Sequence, residues 1–589
     1  MYLERRNYVW LVMLGLALCA NALGQEQAQA PQSSEKSQSE KAQRLRYQIK
    51  LQLNFDELTY TGTERVLWTN PSERPVSVLY FHLYSNMRVD SQIAGSASAL
   101  APDEPRLDVT RVRVPETETP ISFSLEDQGT TLRVNLREQV PAGATTEIEI
   151  DFKGSVPEID PDETGLTTHI VKQVSAALRG EKEIRRARDI NFRSRGVMLL
   201  GTFYPALAVH DGEEWRRKLE PSVGDMIFND VADYEVTIET DPGVFVFSSG
   251  AAKGDTGTHT ATSLRDFALV AGRNLRSEET KVNGTTVRSI FVAEHERVGK
   301  RALRIAADAT RTFNSQFGPL PFETIQIVEA PLVAGLGSTE FSAFNVIASA
   351  FYVDFDAPSM RNLPEIIREQ RTAVEQSVEW TVAHLVAHQW WGAAVGSDPA
   401  REPVLDEALA GWSALLYYRE VHGDEHATAV LKDELTGVYR LYRTFGGEDM
   451  SANRPAREYR NSFQYEAIVT AKGALMFVDL RRLLGDEPFF AALRNYYKAN
   501  LFEIAELDDL RGAMIAEAPI ELRRTVARTF NRWMASKRGD EDIARPDPEL
   551  ATSLGLPAKP GPQKSGDRNA FTAFARVGKF FWQQMTRIR

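Results

Sequence analysis

Two histidines and one glutamate have the residue types and the spacing that a metal site needs. His384 and His388 lie four residues apart in the segment Trp380–Gly392, and residues 389–406 separate them from Glu407. On an α-helix of about 3.6 residues per turn, residues four apart stand one above the other on the same face. The intervening stretch is long enough for that helix to end and for a second helix to return. Two histidines and one carboxylate leave a fourth tetrahedral position open, which is typical of catalytic rather than structural zinc.

The position after the first histidine departs from the usual catalytic pattern. In the pattern His-Glu-x-x-His, a glutamate at that position is the general base of a metallopeptidase, whereas this chain has Leu385. A histidine pair alone is more often incidental than metal-binding, so the assignment depends on the flanking residues. Gln389-Trp390-Trp391-Gly392 follows the second histidine, and Asp406-Glu407-Ala408 contains the third candidate ligand.

These motifs resemble those of the gluzincin zinc aminopeptidase family, the group that contains aminopeptidase N and leukotriene hydrolase. The resemblance implies one Zn²⁺ ion bound by His384, His388 and Glu407. It also implies a multidomain α and β fold: an amino-terminal antiparallel β saddle domain, a thermolysin-like α/β zinc-binding domain and a carboxy-terminal helical region. Because Leu385 occupies the position of the family's base, the metal site is expected to be kept and the base to be lost.

A glycine-rich segment upstream matches a second motif of the family. Relatives carry a G-x-M-E-N segment whose glutamate grips the free α-amino group of the substrate, and Gly337 and Glu340 match that frame. Thr339 and Phe341 depart from it. The resemblance therefore implies that Gly337 and Glu340 bind substrate; the alternative is an ordinary solvated glutamate in a glycine-rich loop.

A third family motif, Y-x-K-G, is altered. Its tyrosine hydroxyl donates a hydrogen bond to the oxyanion of the tetrahedral intermediate in relatives, and counting back from Lys472 places Thr470 at that position. The shorter threonine side chain is not expected to reach. Tyr465 lies five residues earlier, about one and a half turns away on an α-helix, so we expect it to point elsewhere and to contact substrate at most as part of the pocket lining.

The domain boundaries follow changes in periodicity and composition. Apolar and polar residues alternate from Arg46 to about Arg273, which predicts antiparallel strands, except in the charged segment Lys172–Arg188, which is interpreted as a surface excursion. Mixed α/β character follows, and then helical periodicity. We divide the chain into a signal peptide (1–24), a disordered linker (25–43), an amino-terminal β domain (44–273), a thermolysin-like metallopeptidase domain (274–430), a helical region (431–540), a Pro-rich linker (541–568) and a basic amphipathic helix (569–589).

The start of the chain predicts export. Charged residues at Glu4–Arg6 precede a short apolar run, and small residues near Ala22 and Gly24 favour cleavage there; the alternative is an uncleaved anchor. Cys19 is the only cysteine, so the mature protein has no disulfide, which is compatible with a periplasmic or extracellular location. A net charge of −12 argues against nucleic acid as a partner.

The last residues form a basic amphipathic pattern. An apolar stripe that includes Phe571, Phe574 and Trp582 is accompanied by positive charge, and no acid follows Asp567. Such a helix can make peripheral contact with an anionic membrane through residues 569–589. Packing against the body of the protein is the alternative.

Two functions are compatible with this sequence. The first is a secreted zinc-binding pseudopeptidase or weak hydrolase, impaired by Leu385 and Thr470, that binds peptides with a free amino terminus or a protein partner. The second is an active zinc aminopeptidase in which another carboxylate activates water. No acid flanks His384 in the right place to do so.

Overall fold

A computed structural model describes residues 44–88, 104–115, 117–179, 182–358, 360, 371–554 and 556. The predicted signal peptide (1–24), disordered linker (25–43) and basic amphipathic helix (569–589) lie outside the described residues. Among the described residues, no helix combines the length and the apolar character that crossing a membrane requires.

The amino-terminal part is built from β-strands. A seven-stranded sheet has the order β13-β14-β11-β1-β2-β7-β4, and two four-stranded sheets have the orders β10-β3-β6-β5 and β12-β15-β9-β8. These strands are β1 Leu45–Asn54, β2 Thr59–Thr69, β3 Val76–His82, β4 Arg106–Arg113, β5 Ser122–Glu126, β6 Thr131–Val140, β7 Thr145–Ser155, β8 Asn191–Ser194, β9 Val197–Leu200, β10 Ala206–Leu207, β11 Ala232–Thr240, β12 Phe245–Ser248, β13 Ala251–Ala252, β14 Thr258–Leu264 and β15 Leu269–Gly272.

Strand alternation explains how the seven-stranded sheet buries one face. Along β1, every second side chain from Tyr47 to Leu53 is buried and those between are exposed, because successive residues of a strand point to opposite faces. The Tyr47 hydroxyl accepts a hydrogen bond from the Leu207 backbone N–H, 2.8 Å away, so the second sheet covers this face. The pairing is antiparallel apart from β1 with β11, which run parallel.

One carboxyl group lies inside this β core. Glu64 on β2 is fully buried, and neither of its carboxyl oxygens has a hydrogen-bond partner within the described part of the chain. Burial raises the pKa of Glu64 well above its usual range. The folded protein therefore holds this side chain uncharged where the unfolded chain would release the proton.

We expect Glu64→Gln to stabilise the protein at alkaline but not at acidic pH. A raised carboxyl pKa contributes stability that is fully present below the unfolded pKa and is lost as the pH rises towards the folded pKa. Each unit of separation between the two pKa values corresponds to about 1.4 kcal/mol. Urea unfolding at pH 4.5, 6.5 and 8 checks this, with exposed Glu57→Gln as a control for charge loss. Parallel pH profiles for Glu64→Gln and wild type would contradict it.

A five-stranded sheet follows, with the order β16-β17-β18-β20-β19. Its strands are β16 Leu275–Val282, β17 Thr285–Val292, β18 Thr324–Ala330, β19 Ser338–Phe341 and β20 Phe344–Ala348. The strand β19 is the last in this order, so one of its edges does not pair with another strand of the sheet.

The helices cover this sheet and continue to the end of the described chain. They are α1 Leu166–Arg179, α2 Glu296–Phe317, α3 Arg371–His388, α4 Val404–His422, α5 Asp424–Val430, α6 Gly437–Thr444, α7 Ser462–Tyr465, α8 Gly473–Leu484, α9 Asp486–Ala499, α10 Leu507–Glu517, α11 Arg523–Ala535, α12 Gly539–Asp542 and α13 Pro548–Leu554, with π-helical segments at Leu431–Thr436 and Glu466–Lys472. Both α12 and α13 end within the segment predicted as a Pro-rich linker, because Asp540 pairs with Arg443 and Asp547 with Arg440 on α6.

The charged segment Lys172–Arg188 is not a surface excursion. It contains most of α1, and the Asn461 side chain donates a hydrogen bond of 2.9 Å to the Ala176 carbonyl. The Glu183 carboxylate accepts hydrogen bonds from the backbone N–H and the hydroxyl of Ser462, at the start of α7. The prediction was wrong because charged side chains in this segment contact other domains and do not simply lie in solvent.

One arginine joins three parts of the fold. The buried Arg265, after β14, donates hydrogen bonds to the carbonyl oxygens of Ala393 and Glu503 at 3.0 and 2.8 Å. It crosses Gly396 so closely that a Cβ at that glycine would lie 2.3 Å from the guanidinium carbon. The β domain, the turn after α3 and the chain after α9 are thereby held together.

Candidate metal centre and cavity

Helices α3 and α4 bring the three predicted ligands together. The Nε2 atoms of His384 and His388 are 3.0 Å apart, and Glu407 Oε2 lies 3.5 Å from the first and 3.9 Å from the second. In the described part of the chain this is the group of histidine and acidic residues with the geometry of a metal site. Glu407 lies in the first turn of α4, where the helix dipole favours a negative charge.

The donor set fits a zinc ion. Tetrahedral coordination with bonds of about 2.0–2.1 Å places ligand atoms about 3.3 Å apart, which is within the range of the separations observed here. The Nδ1 atom of His388 is 3.2 Å from the Trp391 carbonyl oxygen. Donation of Nδ1–H to that oxygen leaves the Nε2 lone pair for a metal. The His388 ring is therefore already oriented to bind zinc through Nε2.

Acidic side chains surround the triad. Burial raises the pKa of Asp406 to about 7, and it also raises the pKa of Glu407, while the charge of His388 opposes both shifts. The Ser397 hydroxyl donates a hydrogen bond of 2.7 Å to Asp406. A bound cation would favour the charged forms of these carboxylates.

Glu340, on the edge strand β19, faces the same space. One of its carboxylate oxygens is 3.9 Å from His388 Nδ1. Burial, followed by the charges of Asp225 and Glu407, raises the pKa of Glu340 well above its usual range, and Asp225 also forms a hydrogen bond with it. Glu340 thus lies beside the triad and lines the same cavity.

Asp225 and its loop were not identified as site residues from the sequence. The loop precedes β11 in the β domain, yet Asp225 lines one cavity of about 180 Å³ together with the metal triad and Glu340. No spacing rule links it to the histidines, because the contact depends on how two domains pack. The only local signal was an acid after a glycine, Gly224, in a loop.

Tyr465 lies beside the triad, contrary to the prediction that it points elsewhere. That prediction assumed an α-helix, but Glu466–Lys472 is π-helical, and the wider turn brings residues five apart to the same side. The Tyr465 hydroxyl hydrogen-bonds to Glu407, and Thr470 donates a hydrogen bond of 3.3 Å to Glu407 Oε2. Both hydroxyls therefore hold the third ligand.

We expect Thr470→Val to lower zinc affinity by about 10- to 100-fold, the usual effect of losing a partner of a metal ligand. Valine keeps the branched shape that packs near Gly411, so little stability should be lost. Thr470→Ser retains the hydroxyl and should bind zinc like the wild type. Competition with a fluorescent chelator measures both affinities, and equal affinities for the valine and serine variants would contradict this role.

Of the remaining predicted site residues, Gly337 lines the cavity, whereas Leu385 and Thr470 do not. Gly337 lines the cavity close to Phe351. Leu385 is fully buried in the apolar core and is not one of the residues that line the cavity. Thr470 is almost fully buried and is directed at Glu407 rather than into the cavity.

This fold and this triad resemble those of zinc metallopeptidases. Residues 361–533 match the model of the peptidase family M1 domain. Aminopeptidase M1-B of Oryza sativa subsp. japonica is 25% identical over 257 residues, which is 43% of this chain and 27% of the relative. Aminopeptidase N of Lactobacillus delbrueckii subsp. lactis is 30% identical over 151 residues, 24% of this chain and 17% of the relative. The chain therefore matches less than a third of the length of these relatives.

Solved structures agree in fold. An M1 zinc metallopeptidase from Deinococcus radiodurans aligns over 84% of this chain and 94% of its own, with a TM-score of 0.53 and 16% identity. A mutant of that protein, solved with a Tyr-Ser-Ala substrate, gives a TM-score of 0.52 at 16% identity, over 84% of this chain and 95% of its own. The predicted resemblance to the gluzincin aminopeptidase family and the predicted fold class are confirmed.

Proposed function

We propose that this protein binds one zinc ion through His384, His388 and Glu407 and captures the amino termini of peptides in the adjoining cavity. The observation that carries the proposal is the position of Glu340, 3.9 Å from His388 on the wall of that cavity. A carboxylate fixed beside the metal can pair with an α-ammonium group and so select peptides by their free amino end. Bound zinc would supply the polarisation of a carbonyl group and the acidification of water.

We further propose that hydrolysis in this cavity is slow. The side chain after the first histidine, Leu385, cannot accept a proton, and loss of a general base costs about 10²–10⁴ in rate. Thr470 hydrogen-bonds to Glu407, so it offers no donor to a developing oxyanion, a loss of about 10²–10³. These factors need not multiply, since groups that act together are not additive.

An active aminopeptidase is the second candidate, and Asp225 favours it. This carboxylate lies in the cavity with the triad and hydrogen-bonds to Glu340. It could accept a proton from water in place of the missing glutamate. The Tyr465 hydroxyl lines the cavity, unlike Thr470, and could donate to an oxyanion instead of to Glu407. In that case Asp225→Asn would abolish an activity that the wild type has.

One experiment separates the two functions. The zinc-loaded chain is tested with amino-acid fluorogenic amides, with and without chelator, and for binding of peptides with free or acetylated amino termini. Capture of free but not acetylated peptides with little turnover supports the binding function. Robust turnover that chelator removes would replace it with the second candidate. Equal binding of both peptide types would defeat the role of Glu340.

Export and partners complete the proposal. We propose that the protein is exported to the periplasm or cell exterior, that its ligand is a peptide or the amino terminus of a partner protein, and that residues 569–589 contact a membrane peripherally. The charged start and short apolar run support export. Mass spectrometry of the protein recovered outside the cytoplasm should find an amino terminus near Ala22 or Gly24, and an intact Met1 would favour an anchor.

A further inference from the structure

Arg185 places a positive charge in a cavity whose lining includes several carboxylates. It lines the cavity with the metal triad and Glu340. Its Nε and one terminal nitrogen donate to the carbonyl oxygens of Val223 and Gly335, at 3.1 and 3.2 Å. Two of its five N–H groups serve these neutral acceptors, and no carboxylate within the described ranges forms an ion pair with it.

One anion on the same segment, Asp189, already has a hydrogen-bond partner. Asp189 is close enough for Arg185 to lower its pKa against the effect of burial, but its carboxylate accepts a hydrogen bond of 2.8 Å from the Arg186 backbone N–H. Arg185 therefore retains donors that a carboxylate from outside the protein could use.

The backbone holds Arg185 in place. Its own N–H donates to the Ser222 carbonyl, 2.8 Å away, and two residues earlier the Glu183 N–H donates to the Arg460 carbonyl at 2.7 Å. The Lys182 ammonium donates to the carbonyl of Tyr459 at 2.7 Å. The segment is fixed on both sides, so the guanidinium group is presented without a large loss of entropy on binding.

The free edge of β19 connects Arg185 to Glu340. The whole stretch from Gly335 to Ser342 lines the cavity, and an unpaired strand edge can take an extended peptide as an additional strand. Glu340 lies near the metal end of this stretch, whereas Arg185 is bonded to Gly335 at the other end. At about 3.3 Å per residue, these five steps span at most about 16 Å.

We propose that Arg185 binds the carboxy-terminal carboxylate of a short peptide whose amino terminus lies at Glu340. The ligand class is a free oligopeptide of about three to five residues, a length that follows from the span of the edge and the reach of the two side chains. Longer chains would have to leave the cavity before Arg185 and would lose this contact. This inference rests on the proposed capture of amino termini. It adds Arg185 as the residue that binds the carboxyl end of the same peptide.

The test compares peptides that differ only at the carboxyl end. Trialanine, tetra-alanine and hexa-alanine are prepared as free acids and as carboxy-terminal amides, and their Kd values for the zinc-loaded full chain are measured by calorimetry. Where mass spectrometry shows cleavage, KM replaces Kd. We expect the free acid of the three- or four-residue peptide to bind about 10- to 100-fold more tightly than its amide. The six-residue pair should show no such difference.

Arg185→Gln provides the matched variant, because glutamine keeps a donor for the carbonyl groups but carries no charge. It should remove the preference for free acids and leave the affinity for amides unchanged. Binding without any acid preference in the wild type overturns the role of Arg185 while leaving amino-terminal capture intact. No binding of any free-amine peptide overturns both. If Arg185→Gln does not fold, the wild-type comparison of acid and amide still decides.

Discussion

Glu407→Ala is expected to reduce zinc binding from about one ion per chain to almost none under conditions that saturate the wild type. The two histidines alone supply two ligands where a catalytic zinc site uses three, and the affinity should fall by more than about 100-fold, beyond the effect of losing an outer partner. The substitution also leaves the Tyr465 and Thr470 hydroxyls without the carboxylate that they contact. Elemental analysis after zinc-replete purification measures the change.

The control for this loss lies on the same helix. Glu420 is exposed near the end of α4, so Glu420→Ala removes a carboxylate without touching the cavity and should keep the wild-type zinc content. A wild-type chain without zinc would contradict the metal site itself. A Glu407→Ala variant with full zinc content would mean that another residue completes the coordination.

The double variant Leu385→Glu with Thr470→Tyr is expected to hydrolyse amino-acid amides faster than wild type and faster than either single variant. A carboxylate next to the first histidine would supply proton acceptance, worth about 10²–10⁴ in rate. A tyrosine at 470 would supply an oxyanion donor, worth about 10²–10³. The measurement is kcat/KM for the four proteins on one panel of amides, with amino-blocked amides as a control for the role of Glu340.

The free energy of unfolding should be lower in the variants that carry Leu385→Glu or Thr470→Tyr. Leu385 is fully buried among apolar residues, so a carboxylate there is costly unless the metal or water reaches it. Thr470 packs tightly, with its Cγ2 atom 3.1 Å from a Cβ built at Gly411, and a larger side chain costs typically about 1–3 kcal/mol. Leu385→Gln separates the two effects, because it introduces polarity without a base. An inert double variant that still binds zinc would show that more than these two positions has changed.

The metal triad could be predicted because its geometry is largely local. The spacing of His384 and His388 fixes their common face as soon as the segment is helical, and Glu407 needed only a second helix that packs against the first. The β domain could also be predicted, since a period of two is visible along strands such as β1 and β11. Glu340 was found through its motif and lies beside the triad.

The features that the sequence did not reveal have two physical causes. They depend on packing between distant segments or on a local change of helix type. Asp225 and Arg185 reach the cavity from the β domain, and nothing in their own neighbourhoods indicates the histidines as partners. Tyr465 was misplaced because a π-helical turn adds about one residue per turn, which changes the face on which a side chain lies. Lys172–Arg188 was misjudged because its charges are satisfied by other domains.

The Arg265 contacts make the cavity a property of the whole chain. A fragment limited to the matched residues 361–533 would retain the triad, but it would lack Arg265, which fixes the turn after α3, and every cavity residue that the β domain contributes. A segment that matches a family model by itself is therefore not sufficient to form this cavity. The β domain is better regarded as one wall of the cavity than as a carrier for it.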